Sequence, residues 1–229
     1  MELGHWLVTE LRRDFTFLHP ETLADRCTAD RGSLILQNAV NRETYRVLII
    51  PGGSTVSVRV MQKVKDFYDC GGAVIFTSRL PEQASESGFD SVVRELVKSI
   101  LENGSGPAGK AAFVAEADYD GLSAVLSEFL KVPDVAMDAP APLPGGSLGY
   151  LHKQKENRNI YYFANSSDLA VSCPVTLRGK IEDPWFWDPH TGTRARADCF
   201  YSEKSGIPVT AISLELPPVQ SIFLIENGG

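Results

Sequence analysis

Apolar positions in the first part of the chain fall into runs of strand length separated by stretches of helical spacing. Arg46 to Pro51 holds the clearest strand, since Val47, Leu48, Ile49 and Ile50 are continuously apolar, as a parallel strand covered on both faces must be. It ends in Pro51, Gly52, Gly53, Ser54 and Thr55, a turn that places Ser54 or Thr55 to cap a helix. Val56, Val60, Val64 and Phe67 then recur on one helical face, widened by Met61 and Tyr68, until Gly71 and Gly72 stop the helix. Ala73 to Phe76 is the next strand, parallel to the first because a helix of about fourteen residues lies between them. Phe15 to Leu18, Leu34 to Leu36 and Ala111 to Ala115 read as further strands, and the stripes Val93, Leu96, Val97, Ile100 and Leu122, Val125, Leu126, Phe129 as helices. The sum is a flavodoxin-like three-layer α/β domain over residues 1–138. Sites in such a sheet lie at the carboxyl ends of its strands, which singles out the turns around Gly52 to Thr55 and Thr77 to Pro81.

Pro133, Pro140, Pro142, Pro144, Gly145 and Gly146 then mark a change in character, and residues 139–149 read as an extended linker. From residue 150 to 229 the helical period gives way to short alternating segments: Ile160 to Ala164, Val171 to Leu177, Ile212 to Leu216 and Ile222 to Ile225. Turn signals separate them, so this half is expected to be an antiparallel β-sandwich.

The chain has 229 residues, 43% of them hydrophobic and 22% charged, with a net charge of −7. That balance fits a globular protein. The acidic excess argues against nucleic acid or an anionic membrane as partner, because both reward a basic face. No segment reaches the roughly 18 consecutive apolar residues of a membrane helix, and the first residues carry no secretory signal pattern. Four cysteines, Cys27, Cys70, Cys173 and Cys199, form no CxxC pair, so zinc is not expected and they read as buried thiols. A disulfide between Cys173 and Cys199 would require an oxidising compartment.

Gly52, Gly53, Ser54 and Thr55 present backbone N–H groups where an anion could sit, although neither a Walker lysine nor a GxGxxG accompanies them. Ser78 stands on the turn after a strand, where some hydrolases place a nucleophile, but it lacks the bracketing glycines. His5, His19, His152 and His190 are scattered singly and give no metal pair. Glu82, Glu86 and Asp90 in a Ser-rich stretch read as a solvated face or loop rather than the carboxylate pair of a glycosidase. Trp185 and Trp187 offer a stacking platform for sugar rings. Strand alternation sends both to one face and Phe186 to the other, so one side of this cluster must belong to the core.

Taken in order, Asp14 to Leu18, Leu34 to Leu36, Tyr45 to Gly52, Phe67 to Gly72 and Arg79 to Pro81 resemble the amidotransferase-like domain that follows the catalytic barrel in several bacterial glycoside hydrolases, most of all the α-L-rhamnosidase type. Ile160 to Ser167, Trp187 to Gly192 and the terminal strand Ser221 to Glu226 resemble the β-sandwich that ends such enzymes. The resemblance implies that the catalytic acids lie in a barrel upstream, and no family catalytic acid maps onto this chain. The chain is then a carboxyl-terminal accessory region of a secreted or periplasmic parent, with the parent's catalytic domain as its partner, no cofactor, and a polysaccharide or oligosaccharide as the wider ligand. In amidotransferases the corresponding domain uses a Cys nucleophile with a His and a Glu. Near the position of that nucleophile this chain offers Ser78, so the resemblance implies a degenerate domain kept for packing, oligomerisation or shaping a neighbouring active site. A stand-alone hydrolase using Ser78, or a carbohydrate-binding module using Trp185 and Trp187, are the rival readings.

Overall fold

A computed structural model describes residues 2–37, 42–103, 108–116, 118–139, 143 and 145–227. The chain divides into one unit of Phe17–Leu130 and another that joins Met1–Thr16 to Lys131–Gly229. The first sixteen residues, with helix α1 (Glu2–Thr9), thus belong with the second half of the chain.

The Phe17–Leu130 unit runs through α2 (Pro20–Arg26), β1 (Cys27–Asp30), β2 (Ser33–Gln37), β3 (Arg42–Tyr45), β4 (Val47–Ile50), β5 (Thr55–Val56), α3 (Val58–Asp69), β6 (Ala73–Thr77), β7 (Gln83–Ala84), α4 (Asp90–Asn103), β8 (Lys110–Val114) and α5 (Tyr119–Phe129). Strands β4, β6 and β8 form a parallel sheet in that order, so the uninterrupted apolar runs do mark parallel strands. All five residues of β6 are buried. The apolar stripe of α3, made of Val60, Met61, Val64, Phe67 and Tyr68, packs with Val74 and Phe76 of β6 and with Val93, Val97 and Ile100 of α4 in one core.

Two local expectations are corrected and a third is met. Helix α3 starts later than the turn suggested: Ser57 is its N-cap, its hydroxyl accepting from the Val60 amide, while Thr55 and Val56 are extended in β5. Phe15 to Leu18 forms no strand, and Phe17 is 87% exposed. The expected Leu34 to Leu36 strand is present as β2, in an antiparallel sheet of order β1-β2-β3.

The other unit contains β9 (Val135–Met137), β10 (Leu148–Lys155), β11 (Arg158–Asn165), β12 (Val171–Arg178), β13 (Pro184–Trp187), β14 (Arg194–Arg196), β15 (Cys199–Lys204), β16 (Ile207–Leu216) and β17 (Gln220–Glu226). They form a five-stranded sheet in the order β10-β11-β17-β13-β14 and a four-stranded sheet in the order β15-β16-β12-β9, with antiparallel neighbours throughout. Tyr161, Phe163 and Leu224 of the first sheet share a core with Val175, Leu177, Ile212 and Leu214 of the second. Alternation explains the choice of face: along β12, Val171, Cys173, Val175 and Leu177 are buried while Ser172 and Pro174 are exposed.

The division of the chain departs from the sequence reading at both ends of the 1–138 segment. Val135–Met137 pairs with β12, and the Arg12 guanidinium donates to the Ala139 carbonyl at 2.7 Å. Neither link has a local sequence signal. Of the segment read as a linker, Pro140, Pro142 and Pro144 lie outside the described residues, Leu143 bridges to Gly146, and Leu148 already begins β10. Cys173 and Cys199 are free thiols that pair in register with Leu214 and Ile212 of β16 from its two sides. Two strand spacings, about 9.5 Å, separate β12 from β15, too far for a disulfide.

The Tyr161 hydroxyl is buried without a hydrogen-bond partner among the described residues. Because an unsatisfied buried donor costs about 1–3 kcal/mol, Tyr161→Phe is expected to raise the denaturation midpoint of this unit, by about 1 kcal/mol in stability. A lowered midpoint in urea would show that the hydroxyl has a partner after all.

Candidate functional site

The turns after β4 and β6 meet at the carboxyl ends of the parallel strands. A Cβ on Gly52 would lie 2.8 Å from the Ser78 Cβ and 3.1 Å from the Thr77 carbonyl oxygen, so only glycine admits this approach. Ser78 has a left-handed backbone, φ 62°, and its amide donates to the Val114 carbonyl at 2.9 Å. Ser54 joins them through its carbonyl, which accepts from the Glu82 and Gln83 amides, and β5 pairs with β7 just beyond. The structure therefore brings Gly52 and Ser78 together, while Ser54 is tied to Glu82 and Gln83, and Gly53 is exposed in the same turn.

The chemistry of this turn is mostly internal. Glu86 accepts from the Val58 amide at 3.1 Å, so its carboxylate takes the position an external anion would occupy at the start of α3. That hydrogen bond holds the Glu86 carboxyl below its ordinary pKa. Asp90 accepts from the Ala84 amide at 2.8 Å. These acids fasten the loop, which a solvated-face reading missed. His19, the histidine of this unit, caps α2 through Nδ1, which accepts from the Glu21 amide.

A second candidate lies on the outer face of the five-stranded sheet. Phe186 packs against the core, so Trp185 and Trp187 point outward, as alternation requires. Register then aligns one row across all five strands: Leu151, Tyr162, Phe223, Trp187 and Arg194. The Tyr162 and Phe223 rings are 4.9 Å apart at 47°, and the Arg194 guanidinium lies 3.9 Å over the Trp187 ring. Trp185 is tied down differently, its indole N–H donating to Asp183 at 3.0 Å. Sequence reasoning singled out the two tryptophans and missed Tyr162, Phe223 and Leu151 as their neighbours, because row membership depends on strand order.

A third, half-buried cluster joins strands of both sheets in the same unit. His152 lies on the core-facing side of β10 and stacks on Tyr161 with ring centroids 4.1 Å apart. Its Nδ1 is 2.8 Å from Asp134 and its Nε2 is 2.9 Å from the Asn159 side-chain oxygen, while its amide donates to Asp14 at 3.0 Å. Arg178 donates to Asp134 at 3.2 Å, and Asn159 donates to Glu226 at 2.6 Å. Burial pulls the Asp134 carboxyl upward, but the His152 hydrogen bond and the His152 and Arg178 charges outweigh it and leave Asp134 below its ordinary pKa. Burial dominates at Asp14, which is raised. The cluster ties β9, β10, β11, β12 and β17 to the N-terminal segment and reads as a structural lock. Among the described residues, no group of three or more His, Cys, Asp or Glu could hold a metal ion, and no helix is long and apolar enough to cross a membrane.

A chain that carries a small α/β unit and a two-sheet antiparallel unit defines a class of multidomain architecture rather than an activity. The family follows from the sequence: a family model described as alpha-L-rhamnosidase, glycoside hydrolase family 106, matches residues 10–202, and the chain belongs to that family. The rhamnosidase from Novosphingobium sp. PP1Y is 18% identical, with 90% of this chain and 19% of that chain covered at a TM-score of 0.66. A β-galactosidase from Bacillus circulans sp. alkalophilus is 12% identical over 80% of this chain and 33% of that one, with a TM-score of 0.47. No curated protein matches. The chain is thus a region of the rhamnosidase-type glycoside hydrolase family, and spans about a fifth of the length of the rhamnosidase it matches.

Proposed function

We propose that this chain is a non-catalytic accessory region of an α-L-rhamnosidase-like enzyme, supporting or shaping a catalytic domain that lies outside these 229 residues. The observation that carries this reading is the asymmetry of coverage: 90% of this chain corresponds to only 19% of a rhamnosidase chain. The α/β unit is read as an amidotransferase-like scaffold. Its strand-end turn supports that reading, since Gly52 and Ser78 meet where such a domain keeps its chemistry, yet the local acids Glu86 and Asp90 are spent on backbone amides.

The purified chain is expected to release no aryl alcohol from aryl α-L-rhamnosides, with Ser78→Ala indistinguishable from the parent sequence. Turnover that disappears in Ser78→Ala would overturn the accessory role in favour of a hydrolase. The outward aromatic row supports a second reading, in which the sandwich also binds carbohydrate.

A further inference from the structure

The row of outward side chains is not uniform, and its unevenness locates a site. Trp187 has one ring face under Arg194, and Trp185 is anchored to Asp183, so the tryptophans that first suggest a sugar platform are partly committed. Tyr162 and Phe223 remain partly exposed beside Leu151, which is 49% exposed. Together with Ile160, the Lys153 side chain and the Pro189–His190 turn they line an open groove of about 560 Å³, within the size range of small-ligand sites; an ammonium donor serves sugar hydroxyls as well as charged groups. One wall is polar. His190 Nε2 and Ser221 Oγ lie 3.2 Å apart at the groove, and a serine hydroxyl with one donor and two acceptor positions has capacity beyond that single bond.

We propose that this groove is a saccharide-binding site, distinct from the tryptophan pair, that takes a neutral 6-deoxyhexose ring such as an L-rhamnoside. The argument rests on the saccharide-degrading character of the parent and on matching of surfaces. A pyranose presents one face of C–H bonds and an edge of hydroxyls. The C–H face stacks on Tyr162 and Phe223, and adjacent hydroxyls meet His190 and Ser221. A deoxyhexose also carries a methyl group where other hexoses carry a hydroxymethyl group, and burying a methyl against Leu151, Ile160 or Pro189 is favourable whereas burying an unpaired hydroxyl is costly. A purely apolar surface seated on the same sheet would leave the polar pair unused, whereas a sugar engages both it and the aromatic floor.

The test is a saturation-transfer NMR titration of the full chain with methyl α-L-rhamnopyranoside and methyl α-L-mannopyranoside, which differ only at the sixth carbon. The expected result is transfer to the rhamnoside methyl and to one ring face, with weaker binding of the mannoside. Phe223→Ala should weaken binding at least about tenfold, as loss of an aromatic anchor does. His190→Ala, at an exposed turn position, should weaken it severalfold without altering thermal unfolding. No transfer at millimolar sugar, binding that survives both substitutions, or equal binding of the two sugars would overturn the proposal. So would protection of Tyr162 and Phe223 by the rest of the parent enzyme in the absence of sugar, which would make the groove a docking face. Rhamnoside hydrolysis by this chain would instead defeat the accessory role and leave the binding result standing.

Discussion

Asp134→Ala is expected to destabilise the β-sandwich unit by about 3 kcal/mol, the scale on which breaking one partner out of a buried charge cluster acts. Asp134 accepts from both His152 and Arg178, so its removal leaves two donors without their shared anion in a largely buried setting. Arg178→Ala made in the Asp134→Ala background should then cost much less than in the parent sequence, because both changes remove the same contact. Hydrogen exchange of amides in β10 to β12 would read this unit separately from the other, and equal costs in both backgrounds would show that Asp134 and Arg178 act independently. The pH dependence has two opposing parts. Asp134 sits below its ordinary pKa, so its contribution is present above about pH 4, the unfolded value, and is lost as pH falls through the lower folded value. Asp14 sits above its ordinary pKa, so its contribution is fully present below about pH 4 and is lost as pH rises through the raised folded value. Asp14→Asn, which keeps an oxygen to accept from the His152 amide, is therefore expected to remove the part of the stability loss seen on approaching neutral pH. An unchanged stability profile between about pH 4 and 7 would refute that assignment.

Much of the architecture was legible because its signals are local. The apolar run of β6, the stripes of α3, α4 and α5, and the alternation of β11, β12 and β16 report burial directly, whereas β4 and β17 are mostly half-buried. What escaped was set by long-range pairing. Helix α1 and Asp14 attach to β10 and its neighbours through contacts such as the one between Asp14 and the His152 amide, and no window around residue 14 contains His152. One clue was present: Leu148, Tyr150 and His152 share a parity, and a histidine on the core-facing side of a strand demands partners. The Gly52 and Ser78 turns could be named as a possible cleft from position alone. The aromatic row could be half seen, since alternation orients Trp185 and Trp187, but it takes the strand order β11-β17-β13 to set Phe223 between Tyr162 and Trp187.

The glycine pair that ends α3 shows how two residues read as one helix stop perform different tasks, and it leads to the other large expected effect. Gly71 adopts φ 97°, and its amide donates to the Tyr68 carbonyl, so it is the residue that turns the chain. Gly72 has no such backbone requirement. A Cβ there would fall 2.3 Å from the Phe67 ring, so its hydrogen makes room for a side chain that is wholly buried. Phe67→Ala is expected to destabilise the Phe17–Leu130 unit by about 3–5 kcal/mol through lost burial and the cavity left behind. Gly72→Ala alone should cost about 1–3 kcal/mol, since the ring must leave its rotamer or the strand must shift. In the Phe67→Ala background the new methyl enters the space the ring vacated, and Gly72→Ala should become neutral or restore part of the loss. Urea unfolding of the four variants followed by hydrogen exchange in β6 decides the matter. Additive costs would mean that Gly72 is required by the backbone rather than by the Phe67 ring, and that the turn into β6 tolerates no side chain at all.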